Sequence, residues 1–141
     1  MAPVRPLVVA LLLLAGCREA AETDAVARAT GSGMAAGETL HFTGTEPFWS
    51  GEASGSRLTW RTAEAPAGVA IPVTRFAGRN GVGFSGMLGA KPFELAASAA
   101  PCSDGMSDRS YPFAVTVQLG GETLRGCGWT AARPASEAPQ H

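Results

Sequence analysis

The chain holds a single lysine, Lys91, with two histidines and three cysteines. Each scarcity closes off a kind of chemistry. Positive charge is not in excess: 11 Lys and Arg face 12 Asp and Glu, for a formal net charge of −1. Nucleic-acid binding rests on a basic patch that neutralises phosphates, so no nucleic-acid partner is expected. Of the two histidines, His141 is the last residue, which leaves His41 alone in the patterned region. A lone histidine with no matched serine or thiol is weak ground for a catalytic triad. The elbow G-x-S-x-G is absent, because Gly86 directly follows Ser85. Long apolar runs are missing too. A transmembrane helix needs about 20 consecutive apolar residues, and Leu7–Ala15 supplies nine.

Glycine is plentiful, and it produces one misleading match. Residues 81–86, Gly-Val-Gly-Phe-Ser-Gly, fit G-x-G-x-x-G to the letter. A dinucleotide fingerprint needs a helix to follow, so that its N-terminus meets the pyrophosphate. Here Met87-Leu88-Gly89-Ala90-Lys91-Pro92 follows, which reads as strand and turn. No cofactor is expected. Asp104 and Asp108 lack the EF-hand spacing, and no metal is expected either.

The N-terminus has the layout of an export signal. Arg5 is its positive residue, Leu7–Ala15 its apolar segment, and the small residues Ala15 and Gly16 precede Cys17. Leu14-Ala15-Gly16-Cys17 resembles the lipobox of bacterial lipoproteins. That resemblance implies cleavage before Cys17, a diacylglyceryl thioether on its sulfur, and a fatty acyl chain such as palmitate on its new amino group. Each buried CH₂ contributes about 0.8 kcal/mol, so two or more chains hold a protein stably on a membrane. Residue 18 is Arg. Asp at that place is the usual inner-membrane retention signal of such lipoproteins, so its absence favours the outer membrane, with the domain facing the periplasm.

Residues 1–16 are therefore expected to be removed as a signal peptide. Residues 18–37 are small and polar with no useful apolar stripe, so 17–37 reads as lipidated cysteine plus flexible tether. A coil of 20 residues spans roughly 25 Å, enough to clear the headgroups. With Cys17 assigned to lipid, Cys102 and Cys127 remain. An even remainder in an oxidising compartment argues for one disulfide. No further cysteine lies near either, and no histidine cluster accompanies them, which weighs against a metal or catalytic thiol pair.

Residues 38–132 read as one domain, and 133–141, with two prolines, as a disordered polar tail. Within the domain the dominant period is two. Tyr111, Phe113, Val115, Val117 and Leu119 alternate with smaller or polar residues, the pattern of a half-buried strand. Gly120-Gly121 is a tight turn, and Glu122–Trp129 returns as the hairpin partner. Further strands are expected at Thr39–Thr43, Trp49–Ala53, Arg57–Arg61, Val69–Phe76, Val82–Met87 and Phe93–Ala97. Residues 98–109 form the longest irregular stretch. Eight short strands with no sustained helical period predict an all-β fold, a small antiparallel barrel or sandwich.

Two motifs stand out. In Thr45-Glu46-Pro47-Phe48-Trp49, Pro47 biases Glu46 toward extended geometry. Phe48 and Trp49 are adjacent, so on a strand they face opposite sides: one enters the core and the other stays outside. The motif serves either as a strand entry with an aromatic plug or as a rim site where Glu46 and an aromatic meet a ligand. The second motif is Cys102-Ser103-Asp104-Gly105-Met106-Ser107-Asp108-Arg109, followed by Tyr111-Pro112. Asp104-Gly105 is turn chemistry, and Ser107 or Asp108 suits an Asx-type closure. A disulfide from Cys102 to Cys127 would pin this loop beside the final hairpin, as structural closure or as a surface presenting Asp104, Asp108 and Arg109.

Together with Gly126-Cys127, the two motifs resemble an uncharacterised family of small bacterial envelope lipoproteins. The resemblance covers roughly residues 40–130. Family members often carry Ala where this chain has Gly128. Some relatives occur beside META-type or lysozyme-inhibitor-type envelope domains. The family supplies no established activity to transfer.

The expectation is a membrane-anchored, non-catalytic module of the cell envelope that binds a protein, a glycan or a small ligand. A lysozyme-inhibitor-like activity is one concrete version, by size and location alone. The alternative is a small envelope hydrolase drawing its acid–base groups from Glu46, Asp104, Asp108 and His41, at least two of which must converge. A third is a structural or stress-related lipoprotein.

Overall fold

Alternating apolar side chains need a common interior, and here eight strands curl until the sheet meets itself. The computed structural model describes Pro3 and residues 34–137. Its strands are β1 (Leu40–Gly44), β2 (Trp49–Ser54), β3 (Arg57–Thr62), β4 (Val69–Ala77), β5 (Gly81–Leu88), β6 (Lys91–Cys102), β7 (Arg109–Leu119), β8 (Glu122–Trp129) and a short β9 (Ser136–Glu137). Each of β1–β8 pairs antiparallel with the next, and β8 returns to β1. The result is a closed eight-stranded up-and-down barrel, which leaves no free sheet edge. Among the described residues there is no helix. All eight expected strands are present. The choice between barrel and sandwich falls to the barrel.

An interior of eight strands is just wide enough for side chains to fill. Phe42, Trp49, Trp60 and Phe93 form a linked aromatic cluster in it. Leu40, Leu58, Ile71, Phe84, Leu95, Phe113, Val115 and Val117 complete the packing. Rings of this size bury on the order of 200 Å² each, worth about 5 kcal/mol apiece by area. Room for Trp49 comes from glycine. A Cβ on Gly44 would fall 2.1 Å from the Trp49 ring, and one on Gly126 would fall 2.8 Å from it.

Up-and-down connectivity sorts the loops to two ends. The upper end carries connections 45–48, 63–68, 89–90 and 120–121. The lower end carries 55–56, 78–80 and 103–108, together with the entry to β1. Cys102 and Cys127 form the expected disulfide, with Cα atoms 5.6 Å apart.

Four local expectations are corrected. The strand expected at Phe93–Ala97 is longer. It runs to Cys102 through a register shift between Ala99 and Cys102, so part of the expected irregular stretch is strand. The tail expected to be disordered from residue 133 pairs instead: Ser136 and Glu137 lie opposite Ser110 and Arg109, using hydrogen-bonding positions on β7 beyond the reach of β8. The expected tether ends early, because Met34 is 1% exposed and belongs to the core cluster. Glu46 is not extended. It takes φ of 60° ahead of a cis Glu46–Pro47 bond, as the short connection reverses direction between β1 and β2. The leader apart from Pro3, Cys17, tether residues 18–33 and residues 138–141 lie outside the described residues.

Candidate binding site

At the upper end the first motif resolves into two roles. Trp49 opens β2 facing inward and is 1% exposed, while its neighbour Phe48 is 61% exposed. This is the division that adjacent residues at a strand entry must make. Trp49 stacks on Trp60 with ring centroids 5.4 Å apart. The two rings form the floor of a cleft of about 210 Å³, walled by Pro47, Phe48, Thr62, Ala63, Glu64, Leu119, Glu122 and Leu124. Its surface is mainly apolar with two carboxylates on the rim. Glu46 sits next to the Pro47 wall in the chain, is exposed and does not line the cleft. It is the one non-glycine residue with positive φ among the described residues. Such conformations cost of order 1–3 kcal/mol and gather at ligand-contacting loops.

The second motif is a self-contained polar loop at the lower end. Asp104 Oδ1 accepts from the backbone N–H groups of Met106, at 2.9 Å, and Ser107, at 2.8 Å. Its Oδ2 accepts from Ser107 Oγ at 2.9 Å and Tyr111 Oη at 3.3 Å. These bonds all favour the ionised form, with the Ser107 and Met106 N–H groups contributing most, and they hold the carboxyl at about 2. Ser107 Oγ also accepts from the N–H of Arg109. Asp108 and Arg109 are exposed, and Arg109 pairs with Glu137 in β7–β9.

The six residues singled out for binding therefore divide. Glu46, Phe48 and Trp49 lie on or beside the upper connection. Asp104, Asp108 and Arg109 belong to the lower one. A larger groove of about 320 Å³ runs beside the lower loop between Tyr111, Pro112 and Arg133, and none of the six lines it.

A run of ring contacts connects the lower loop to the barrel wall. Tyr111 tilts against Trp129 with centroids 5.6 Å apart, and Trp129 stacks on His41 at 5.4 Å. His41 is the β1 partner of Glu52 in β2. Glu52 takes a two-pronged ion pair from Arg61 at 2.5 and 2.8 Å. The Arg61 hydrogen bond is the main cause that lowers the Glu52 carboxyl from its ordinary range.

Sequence reasoning missed Trp60, Glu64 and Glu122 as members of the upper cleft. Trp60 carried a signal: it alternates with Leu58 in a strand whose far end must return to the level of Trp49. Glu64 and Glu122 carried none until the order of connections was known. No family model, curated protein or solved structure matches this chain.

Proposed function

We infer that this chain is a lipid-anchored lipoprotein of the bacterial envelope, held at Cys17 in the outer membrane and facing the periplasm, and that its barrel is a non-catalytic binding module. The upper cleft is its contact surface. One observation carries the reading: Phe48 is left 61% exposed beside a cleft floored by two stacked tryptophans. A large apolar side chain held in water beside an aromatic recess is the usual anatomy of a contact point, where a few aromatic anchors supply most of the affinity.

The rim supplies the selectivity. Glu64 and Glu122 line the cleft, and Glu46 stands next to it in the chain. Carboxylates around an aromatic floor suit a partner that presents an apolar side chain flanked by positive charge. A basic envelope or wall-directed protein fits that description, and lysozyme is its sharpest case. The polar groups elsewhere support binding over chemistry. Asp104 has both oxygens engaged by its own loop, and Glu52 is engaged by Arg61.

The test is affinity capture from envelope extract using the full chain and Phe48→Ser side by side. The expected result is a basic protein retained by the wild type and lost with Phe48→Ser. Identical retention by both, or no retained protein, would remove the upper cleft from the account.

A further inference from the structure

The lower end of the barrel holds a side chain that no barrel strand supplies. Inward-facing residues there include Ala53, Val82 and Ala97, which are small, whereas the upper half is filled by Trp49, Trp60 and Phe93. Beside them stand Leu40 and Leu58, and Met34, from the segment that precedes β1, is buried in the same core. Its neighbours Ala35, Ala36 and Gly37 are exposed. The segment thus enters the mouth with one unbranched apolar side chain and turns out again.

The polar groups around this plug are incompletely matched. Arg75 continues the inward series Ile71, Val73 and donates from Nη2 to the carbonyl oxygen of Met34 at 3.3 Å. Its Nε is buried with no partner among the described residues. Glu38, within the plug segment, accepts from the N–H of Ala35 through Oε2, while its Oε1 is buried with no partner among the described residues. Nε–H and Nη2–H lie on one edge of the guanidinium and form a fork suited to two oxygens of a carboxylate. A peptide carbonyl offers one oxygen and satisfies half of that fork. A carboxylate satisfies both prongs, and departure of the plug returns Glu38 Oε1 to water.

We propose that the lower mouth is a binding site for a short unbranched carboxylate, occupied in the free protein by the chain's own Met34. The apolar chain takes the place of the Met34 side chain, and the carboxylate takes both donors of Arg75. The rest of the interior is filled by side chains, so the ligand chain is no longer than the methionine side chain it replaces. The site is independent of the upper cleft, so Phe48→Ser leaves it intact.

The test is calorimetric titration of the full chain with pentanoate, whose alkyl chain matches a methionine side chain in length, using pentanol as the control without the head-group charge. Met34→Gly should bind pentanoate about tenfold more tightly than the wild type, because no plug has to be displaced. Adding Arg75→Gln to Met34→Gly should weaken pentanoate by about tenfold and leave pentanol unchanged, since the fork recognises only the carboxylate. Equal affinity of wild type and Met34→Gly, or equal loss for both ligands, overturns the proposal. A second measurement uses the unaltered chain, in case Met34→Gly does not fold. Saturating pentanoate should speed amide exchange at Ala35–Glu38, and unchanged exchange there overturns the proposal equally.

Discussion

Gly126 of β8 lies beneath the Trp49 ring, and a Cβ on that glycine would come within 2.8 Å of the ring and 2.2 Å of the Thr43 carbonyl oxygen. The tryptophan that floors the cleft is thus seated by the absence of a side chain two strands away, on β8. Gly126→Ala should destabilise the barrel by about 1–3 kcal/mol through overpacking. Gly121→Ala, in the β7–β8 turn with open space around it, should cost less. Urea unfolding of the two variants checks the order.

The Cys102–Cys127 disulfide closes a separation of 25 residues. In the chain-entropy account a loop of that size contributes about 3.5 kcal/mol by restricting the unfolded chain. Reductant should therefore lower the melting temperature, by roughly 10 °C or more for a domain of this size. Superimposable melting curves with and without reductant would remove the staple from the stability account.

Asp104 gives the barrel an acid-sensitive loop. Its carboxyl titrates at about 2 in the folded protein against 3.8 for the free side chain. A lowered folded value means the stabilisation is fully present above 3.8 and is lost as the pH falls toward about 2. Wild type should lose more melting temperature across that window than Asp104→Asn, which has no charge to lose there. Glu52 shifts in the same direction in both proteins, so it cancels from the difference. Parallel decline of the two curves would contradict the loop's role.

Anchoring makes a separate prediction. Cys17→Ser should abolish incorporation of labelled fatty acid and leave the chain soluble or as uncleaved precursor, because the thioether has no sulfur to form on. Fatty-acid labelling and membrane fractionation of the variant check it. Normal labelling of Cys17→Ser would move the anchor elsewhere.

The strands were legible in the sequence because half-buried strands repeat every two residues whatever sheet they join. Tyr111–Leu119 and its Gly120-Gly121 turn are the clearest case, and the Glu122–Trp129 return strand has the expected bounds. Closure was not legible, because a barrel and a sandwich place the same alternation on their strands. Met34 was missed for a different reason. A single apolar residue in a polar stretch has no period, and only the small inward residues of other strands create its place. The division at Phe48 and Trp49 was legible, but which of the two faces the core depends on the register against Thr62 and Gly44. Whether the two motifs meet in one site was not legible, because that depends on the direction in which each strand runs. The disulfide is there, but the alternation of connections sends the two loops to opposite ends.

The most direct test of the upper contact surface is photo-cross-linking in living cells, with benzoylphenylalanine in place of Phe48 in the full chain and, separately, in place of Met106. Met106 is a fair control because it is 79% exposed in the lower connection, at the opposite end of the barrel from the cleft. The account predicts a discrete adduct with a basic envelope protein from position 48 and none from position 106. No adduct at 48, or the same adduct at both positions, would contradict it.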